Sequence, residues 1–275
     1  LGAAAVLVLL GARHLRDRGA VHPWPAVPAV TALDVGQGDA ILLRSPDGAA
    51  ALIDTGAPGD PAAVLGALRR EGVRELSLVA VTHDQLDHSG ALREVLDHHA
   101  VGILAHPPLG PDATGLRRTV DRARAAGVVT REVSAGARIV VGRWTLDVMS
   151  PRAAPPAGAD PNPYSMVVRA RAGRFAALLA ADAESDALAG LPLGSVDVLK
   201  VSHHGSADAG LARLLPRLRP AVALVSVGEG NPYGHPRGET LAALRAAGVR
   251  TWRTDRDGNV TVAEAADGLA VDAEG

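Results

Sequence analysis

The chain has 275 residues, 47% of them hydrophobic and 21% charged, which supplies one large core or two small ones and excludes a disordered tail. Thirty acidic residues against 28 basic ones give a formal net charge of −2, excluding the overall basic character of a general nucleic-acid binder and confining any phosphate-binding surface to a local patch. Ten histidines and no cysteine exclude disulfides, thiolate zinc sites and cysteine nucleophiles, leaving His, Asp, Glu and the Asn/Gln amides as metal ligands.

The chain opens on Leu1, and the run Leu1 to Ala12 is apolar, followed at once by Arg13, His14, Arg16 and Arg18. It is shorter than the roughly 20 residues that span a bilayer, and a signal peptide would carry its charges ahead of the run. The expectation is the tail of a truncated membrane helix, with an ordinary surface helix as the alternative. His22-Pro23-Trp24-Pro25 through Pro28 reads as an extended linker, because repeated prolines oppose both helix and ladder. Residues 1–29 are thus expected as helix tail and linker, and residues 30–275 as the folded domain.

Strands are expected at Val30–Leu33 and at Ala40–Arg44, the latter joined through Ser45-Pro46-Asp47-Gly48 to Ala50–Asp54 as a hairpin. Pro61–Glu71 reads as a helix that buries Val64, Leu65 and Leu68 and stops at Gly72. Leu76–Thr82 comes next as a buried strand, Ala91–His98 as a helix, Gly102–Ala105 as a strand and Gly115–Ala126 as an Arg-rich helix. Strands dominate from Val128 to Met149. After the loop Pro151–Pro163, Ser165–Arg171 and Phe175–Ala180 form a second hairpin, and Val196–Ser202 and Val222–Val227 are further strands. Near a dozen strands in two sheets with helices outside make an α/β sandwich.

Chemistry concentrates where apolar strands end. Thr82-His83-Asp84-Gln85-Leu86-Asp87-His88-Ser89-Gly90 comes after one strand and precedes a helix; His83, Asp87 and His88 there suffice to hold a divalent ion. The segment equally fits a helix N-terminus capped by Asp87 or Ser89. Two more apolar strands end in possible ligands, Leu178–Ala181 in Asp182 and Asp197–Val201 in Ser202-His203-His204-Gly205-Ser206. Lys200, the sole lysine of the chain, is read as a bias of composition without functional weight.

With these blocks the sequence resembles a known family. Leu33-Asp34-Val35-Gly36-Gln37-Gly38-Asp39-Ala40, Leu52-Ile53-Asp54-Thr55-Gly56, the His83–His88 motif, the Ser202–Ser206 segment and Asn231-Pro232-Tyr233-Gly234-His235-Pro236 are similar, in order, to the metallo-β-lactamase-like domain of ComEC competence proteins. The resemblance covers roughly residues 30 to 262. It implies an αββα sandwich at the C-terminus of a polytopic membrane protein that imports single-stranded DNA during natural transformation, where the domain degrades the strand that is not imported.

The resemblance also implies a ligand set. His83 would serve a first metal site, Asp87 and His88 a second, Asp182 would bridge the two, and His203 or His204 would supply the last histidine, with His203 favoured because it stands where the strand ends. Asp34 and Asp39 fall in the family's first loop, which holds an active-site carboxylate; Asp54 comes after the next strand, where a structural role fits as well. Gln85 replaces the superfamily's second histidine and is a weak amide ligand, and Asn162 and Ser165 lie where hydrolytic members have another. The first site is therefore depleted. Ala181 replaces the usual Gly before the bridging Asp. One or two divalent ions are expected, with the oxygen-rich donor set shifting the preference from Zn2+ towards Mn2+.

In this reading Asp87 and Asp182 belong to the catalytic centre, His235 hydrogen-bonds or protonates the leaving alkoxide, Asn231 and Tyr233 bind phosphate oxygens, and Ser206 offers a hydroxyl at a helix N-terminus. Arg117, Arg118, Arg122 and Arg124, and separately Arg250, Arg253 and Arg256, form basic clusters that would track a DNA backbone or simply be solvated. The partners implied are single-stranded DNA, the channel portion of the full-length protein and the uptake machinery, at the cell membrane. The arginines after the apolar head would favour a cytoplasmic C-terminal side, whereas the resemblance favours the extracytoplasmic face. The alternatives are a metallohydrolase of another substrate, or a metal-poor module that guides single-stranded DNA without cutting it. Gln85 favours such a module; the scarcity of aromatic residues, 2% of the chain, counts against it.

Overall fold

The structure, a computed structural model, describes residues 22–274 and, as a backbone strand alone, residues 6–9. Within the apolar head, expected as helix, residues 6–9 form a strand paired in parallel with residues 138–141, and the rest of that expectation lies outside the described residues. Among those described, no helix is long and apolar enough to cross a membrane.

The strands in chain order are β1 (Val6–Leu9), β2 (Ala29–Ala32), β3 (Ile41–Arg44), β4 (Ala50–Ile53), β5 (Glu75–Ala80), β6 (Ala100–His106), β7 (Val129–Glu132), β8 (Arg138–Val141), β9 (Trp144–Val148), β10 (Val168–Ala172), β11 (Phe175–Leu179), β12 (Val198–Lys200), β13 (Val222–Val225), β14 (Arg250–Arg253), β15 (Val260–Ala265) and β16 (Gly268–Ala273). They form two eight-stranded mixed sheets, ordered β16-β15-β2-β3-β4-β5-β6-β7 and β1-β8-β9-β10-β11-β12-β13-β14. The strand count exceeds the expected dozen. The C-terminal hairpin β15/β16 and the short strand β14 were not legible, because charged residues interrupt their apolar alternation, whereas β7, β8 and β9 fall within the strand-rich segment expected from Val128 to Met149.

The helices are α1 (Pro61–Arg70), α2 (Leu86–Ser89), α3 (Leu92–His98), α4 (Thr114–Ala125), α5 (Ser185–Leu188), α6 (Leu211–Leu218), α7 (Gly238–Ala246) and α8 (Thr254–Asp257). Asp60 caps α1, accepting a hydrogen bond from the Ala63 amide, and Pro61 opens the helix where no intrahelical amide bond is needed.

Period-two alternation sets the layers. In β9, Trp144, Leu146 and Val148 are buried while Thr145 and Asp147 stay half-buried on the other face. The inward sets of both sheets interdigitate: Val30, Ile41, Leu43, Ile53 and Leu78 meet Trp144, Phe175, Leu179, Val222 and Leu224. Trp144 packs 5.6 Å from Phe175, and its indole N–H donates to the Arg44 carbonyl at 3.0 Å. Outside the first sheet, Val64 and Leu68 of α1, Leu92 and Val95 of α3 and Leu116 and Val120 of α4 cover Leu42, Leu52 and Val79. Outside the second, Leu211, Leu214, Leu215, Leu218 and Leu244 cover Leu178, Leu199 and Ala223. The result is the expected αββα sandwich.

Parallel pairing positions the site. β4 runs parallel to β5, and β11, β12 and β13 run parallel to one another. The residues beyond the ends of β4, β5, β11, β12 and β13, Asp54, His83, Asp182, His203/His204 and Ser226, consequently emerge at one end of the sandwich, where open α/β sheets bind ligands.

Candidate metal centre

Backbone geometry at this end is unusual in a way that sets side-chain direction. Asp54 (φ 62), Ala181 (φ 49), His203 (φ 47) and His204 (φ 51) are left-handed, a region that non-glycine residues seldom adopt outside constrained sites. At Ala181 the usual glycine would relax this conformation, so the departure noted in the sequence costs about 1 kcal/mol. Gly38 lets the first loop lie against α2: a Cβ there would stand 2.1 Å from the Asp87 carbonyl. The Asp39 amide donates to that same carbonyl at 3.1 Å.

His88 is fully buried, with Nδ1 donating to Asp54 Oδ2 at 2.8 Å and Nε2 lying 3.1 Å from Asp182 Oδ1, out of line for a hydrogen bond. Asp54 is fixed in turn by the Thr82 amide and hydroxyl, each donating to it at 2.7 Å. His204 is buried, donates from Nδ1 to the Ser226 carbonyl at 2.9 Å and stands 3.3 Å from Asp39 Oδ1. Its Nε2 lies 3.3 Å from Asp87 Oδ2 and 3.7 Å from Asp182 Oδ2. Each of the two imidazoles therefore has a carbonyl or carboxylate on Nδ1 that aims Nε2, the arrangement that orients metal-ligating histidines.

The fit to a divalent ion rests on atoms left without partners. His88 Nε2, His204 Nε2 and both oxygens of Asp182 are buried without a hydrogen-bond partner, which a protein tolerates rarely. Donor atoms of Asp87, His88 and His204 lie within 4.8 Å of one another, as do those of His83, His88 and Asp182. Asp87, His88, Asp182 and His204 thus fit an ion through two imidazole nitrogens and carboxylate oxygens.

The first site does not fit as well. His83 is buried, with Nε2 3.1 Å from Gln85 Oε1 and Nδ1 3.0 Å from the Thr82 hydroxyl and 3.3 Å from that of Ser165. The Gln85 amide stands at the Nε2 side of His83, where the superfamily's second histidine would stand.

The layout sets the electrostatics. Burial pushes the His83 pKa down to about 4, aided by neighbouring His88, whose ring centroid is 4.2 Å away. Burial also opposes charge on His88, but Asp182 and Asp54 outweigh it and hold its pKa well above the ordinary value. The same contest at His204 is won by Asp39, Asp87 and Asp182, giving about 9. Burial works against the Asp39 carboxylate, yet Lys200, with His204 next in strength, lowers its pKa to about 2.

Several predicted residues take other positions. His203, favoured from its place at the strand end, is a third exposed, and its Nδ1 donates to Glu184 Oε1 at 3.0 Å while Nε2 lies 3.7 Å from Asp182. It is His204 that sits among the converging donors. Asp34 stands apart, half-buried in a turn where its Oδ1 accepts from the Gly36 amide at 3.2 Å. Asn231 is spent on its own loop, exchanging hydrogen bonds with the backbone of His235 and donating to Gly228. The Ser206 hydroxyl donates to Glu184. The His235 ring lies 5.7 Å from that of His203, edge-on, and exposed Tyr233 stacks on His235 at 5.8 Å. Among the basic clusters, Arg122 faces Asp97, Arg124 pairs with Asp121 and Arg253 with Asp255, so each cluster carries part of its neutralising charge alongside.

Sequence reasoning missed Lys200 and Glu184 and assigned Asp54 no firm role. Lys200 is fully buried, ion-paired to Asp39, and donates to the Ala181 carbonyl at 3.0 Å. A lone lysine inside an apolar strand was the available signal, since buried lysines need partners.

Residues 33–229 match the model of the family described as the metallo-beta-lactamase superfamily. The chain is 29% identical over 252 residues to ComE operon protein 3 of Bacillus subtilis (strain 168), covering 84% of this chain and 32% of that protein. It is 30% identical over 268 residues to Competence protein ComA of Neisseria gonorrhoeae, covering 92% of this chain and 34% of that protein. The chain thus spans about a third of the length of these curated relatives. The metallo-beta-lactamase fold protein YhfI from Bacillus subtilis shares the fold, with a TM-score of 0.57 at 13% identity over 89% of this chain and all of that one.

Proposed function

The chain belongs to the metallo-β-lactamase superfamily, and from that premise we propose that it is a metal-dependent phosphodiesterase that cleaves single-stranded DNA, the hydrolytic domain of a membrane DNA-uptake channel. Similarity to competence proteins over most of this chain supports a metallohydrolase role in DNA uptake. In this reading the channel portion of a longer protein and the uptake machinery are its partners, and it works at the extracytoplasmic face of the cell membrane on the strand that is not imported.

The observation that carries the hydrolase reading is the convergence of unpartnered Asp182 oxygens and of His88 and His204 Nε2 beside Asp87. A divalent ion held there supplies Lewis acidity to a phosphodiester and lowers the pKa of water towards about 7. The mixed nitrogen and oxygen donor set suits Mn2+ or Zn2+. The chain's own residues do the rest. Asp54 and Ser226 lock the two imidazoles, so that no reorganisation is needed when substrate arrives.

His203 is better placed than His235 to give a proton to the leaving alkoxide. The hydrogen bond to Glu184 raises its pKa, while burial and the neighbouring His203 lower that of His235. The exposed face of Tyr233, stacked on His235, offers a base a surface to stack on, which favours a single strand over a duplex.

The test is metal content together with cleavage of end-labelled single-stranded DNA in Mn2+ and in Zn2+, comparing the chain with Asp87→Ala. Metal-dependent cleavage that the substitution abolishes is expected. Bound metal without cleavage of DNA, but with turnover of another ester, would move the substrate. A folded chain that binds DNA with neither metal nor cleavage would replace the enzyme by a guiding module, the reading that the Gln85–His83 hydrogen bond favours.

A further inference from the structure

Lys200 has no part in the hydrolase reading above, yet it is the chain's sole lysine and is fully buried beneath the metal centre. Its ammonium reaches three oxygens: it is ion-paired to Asp39, donates to the Ala181 carbonyl at 3.0 Å and stands 3.9 Å from Asp182 Oδ1. Such a compact point charge, with three donors on a flexible stem, is here surrounded by two carboxylates and a carbonyl, ligand types that hard cations use.

Without the ammonium, the same atoms would make a second cation site. Its donors would be the oxygens that the ammonium now faces, those of Asp39, Asp182 and the Ala181 carbonyl; Asp39 and Asp182 are buried and each bring an oxygen within 4.8 Å of the other and of His204, which already serves the first set. On the other side of Asp182, the Nε2 side of His83 is taken up by the Gln85 amide, 3.1 Å away. Among the described residues this centre therefore offers an open ligand set, Asp87, His88, Asp182 and His204, flanked by His83 with its amide neighbour on one side and by a carboxylate pair filled by a lysine on the other.

We propose that the Lys200 ammonium is a tethered cation standing in for a second metal ion, so that the centre takes one divalent ion per chain. This rests on the metal-centre reading above and goes beyond it in fixing the stoichiometry and the residue that sets it. Lys200 is a positioning residue in this scheme: it neutralises Asp39, which stays behind His204 instead of turning into the centre as a ligand.

The experiment is a Mn2+ titration of the whole chain read two ways, by metal analysis after desalting and by electron paramagnetic resonance at saturating metal. One ion per chain is expected, with the six-line pattern of an isolated Mn2+. Lys200→Met, checked for folding by near-ultraviolet circular dichroism, should take two ions and give the broadened spectrum of a coupled pair. Should that variant fail to fold, Lys200→Gln keeps a donor for Asp39 without the charge and is read in the same way. The double variant Lys200→Met/Asp39→Asn should return to one ion.

Two coupled ions in the unsubstituted chain would overturn the proposal, as would a folded Lys200→Met or Lys200→Gln chain that still takes only one. An unsubstituted chain that takes no ion at all would instead remove the metal-centre reading itself. The two failures are therefore distinguishable.

Discussion

Loading the centre must displace protons, and the number is set by the groups behind the ligands. At pH 7 the His204 imidazole, with a pKa of about 9, carries a proton in the ion-free chain, held by Asp39, Asp87 and Asp182 against its burial. A metal ligates neutral imidazole, so this proton opposes binding by about two decades, or ~2.7 kcal/mol at 1.36 kcal/mol per unit. His88, also held well above the ordinary value, contributes a second proton, whereas His83, at about 4, contributes none. Asp39 and Asp182 have lowered pKa values and are already ionised. Affinity is therefore lost as pH falls, and it should rise between about tenfold and a hundredfold per unit from pH 6 to pH 8. Calorimetric titration with Mn2+ at pH 7, in two buffers of different ionisation enthalpy, reads the release directly as a buffer-dependent heat. Between one and two protons per ion are expected. A bound ion with no buffer-dependent heat would refute the reasoning, because it would mean that both imidazoles are neutral before the ion arrives.

Single contacts give further expected outcomes. Asp54→Asn removes the anionic partner of His88 Nδ1 and should weaken metal affinity about 10- to 100-fold, measured by competition with a chromogenic chelator. Arg44→Met strands Glu71, whose carboxylate the guanidinium meets at 2.6 Å in a buried pair, and should cost about 3–5 kcal/mol in denaturant unfolding; the paired change Arg44→Met/Glu71→Leu should recover most of it. Tyr233→Ala should weaken single-stranded DNA binding by about 1–3 kcal/mol in fluorescence anisotropy, with metal content unchanged. Chelation by EDTA should lower the melting temperature and leave a single cooperative transition, since an ion present at a hundred times its Kd contributes only about 2.7 kcal/mol.

The fold and the location of the site were legible because their signals are local. Apolar runs such as Leu76–Val81 and Leu178–Ala181 end abruptly in ligand-type residues, and the end of a buried strand fixes where the next side chains emerge. The choice between His203 and His204 was not legible in the same way. It turns on a left-handed run of three residues, His203, His204 and Gly205, that rotates the second ring inward and leaves the first beside Glu184; the glycine is only its last member, and nothing local announces the conformation at the two histidines. Glu184 and Lys200 were illegible for a different reason: each acts through partners far away in sequence, Glu184 through His203 and Ser206, Lys200 through Asp39 across the two sheets. Local pattern reports where a side chain can point, whereas a charge network depends on which sheet edges the fold brings together.

That network explains how the chain tolerates so much buried charge. Buried Asp39, Asp54 and Asp182 and half-buried Asp87 surround the centre, and an isolated carboxylate in such surroundings would be costly. In the ion-free chain Lys200 and the protonated His88 and His204 oppose them at distances of about 3 to 4 Å. Exchanging two imidazole protons for one divalent ion leaves the net charge of this buried volume unchanged. The fold therefore need not be rebuilt when the ion enters, and the unpartnered Nε2 atoms and Asp182 oxygens gain a partner that bare protons cannot supply. A second ion would break that balance by two charges, which Lys200 prevents by already occupying the carboxylate pair. In the proposed scheme the same buried charges that look like a burden on stability thus set both the proton release and the stoichiometry of the centre.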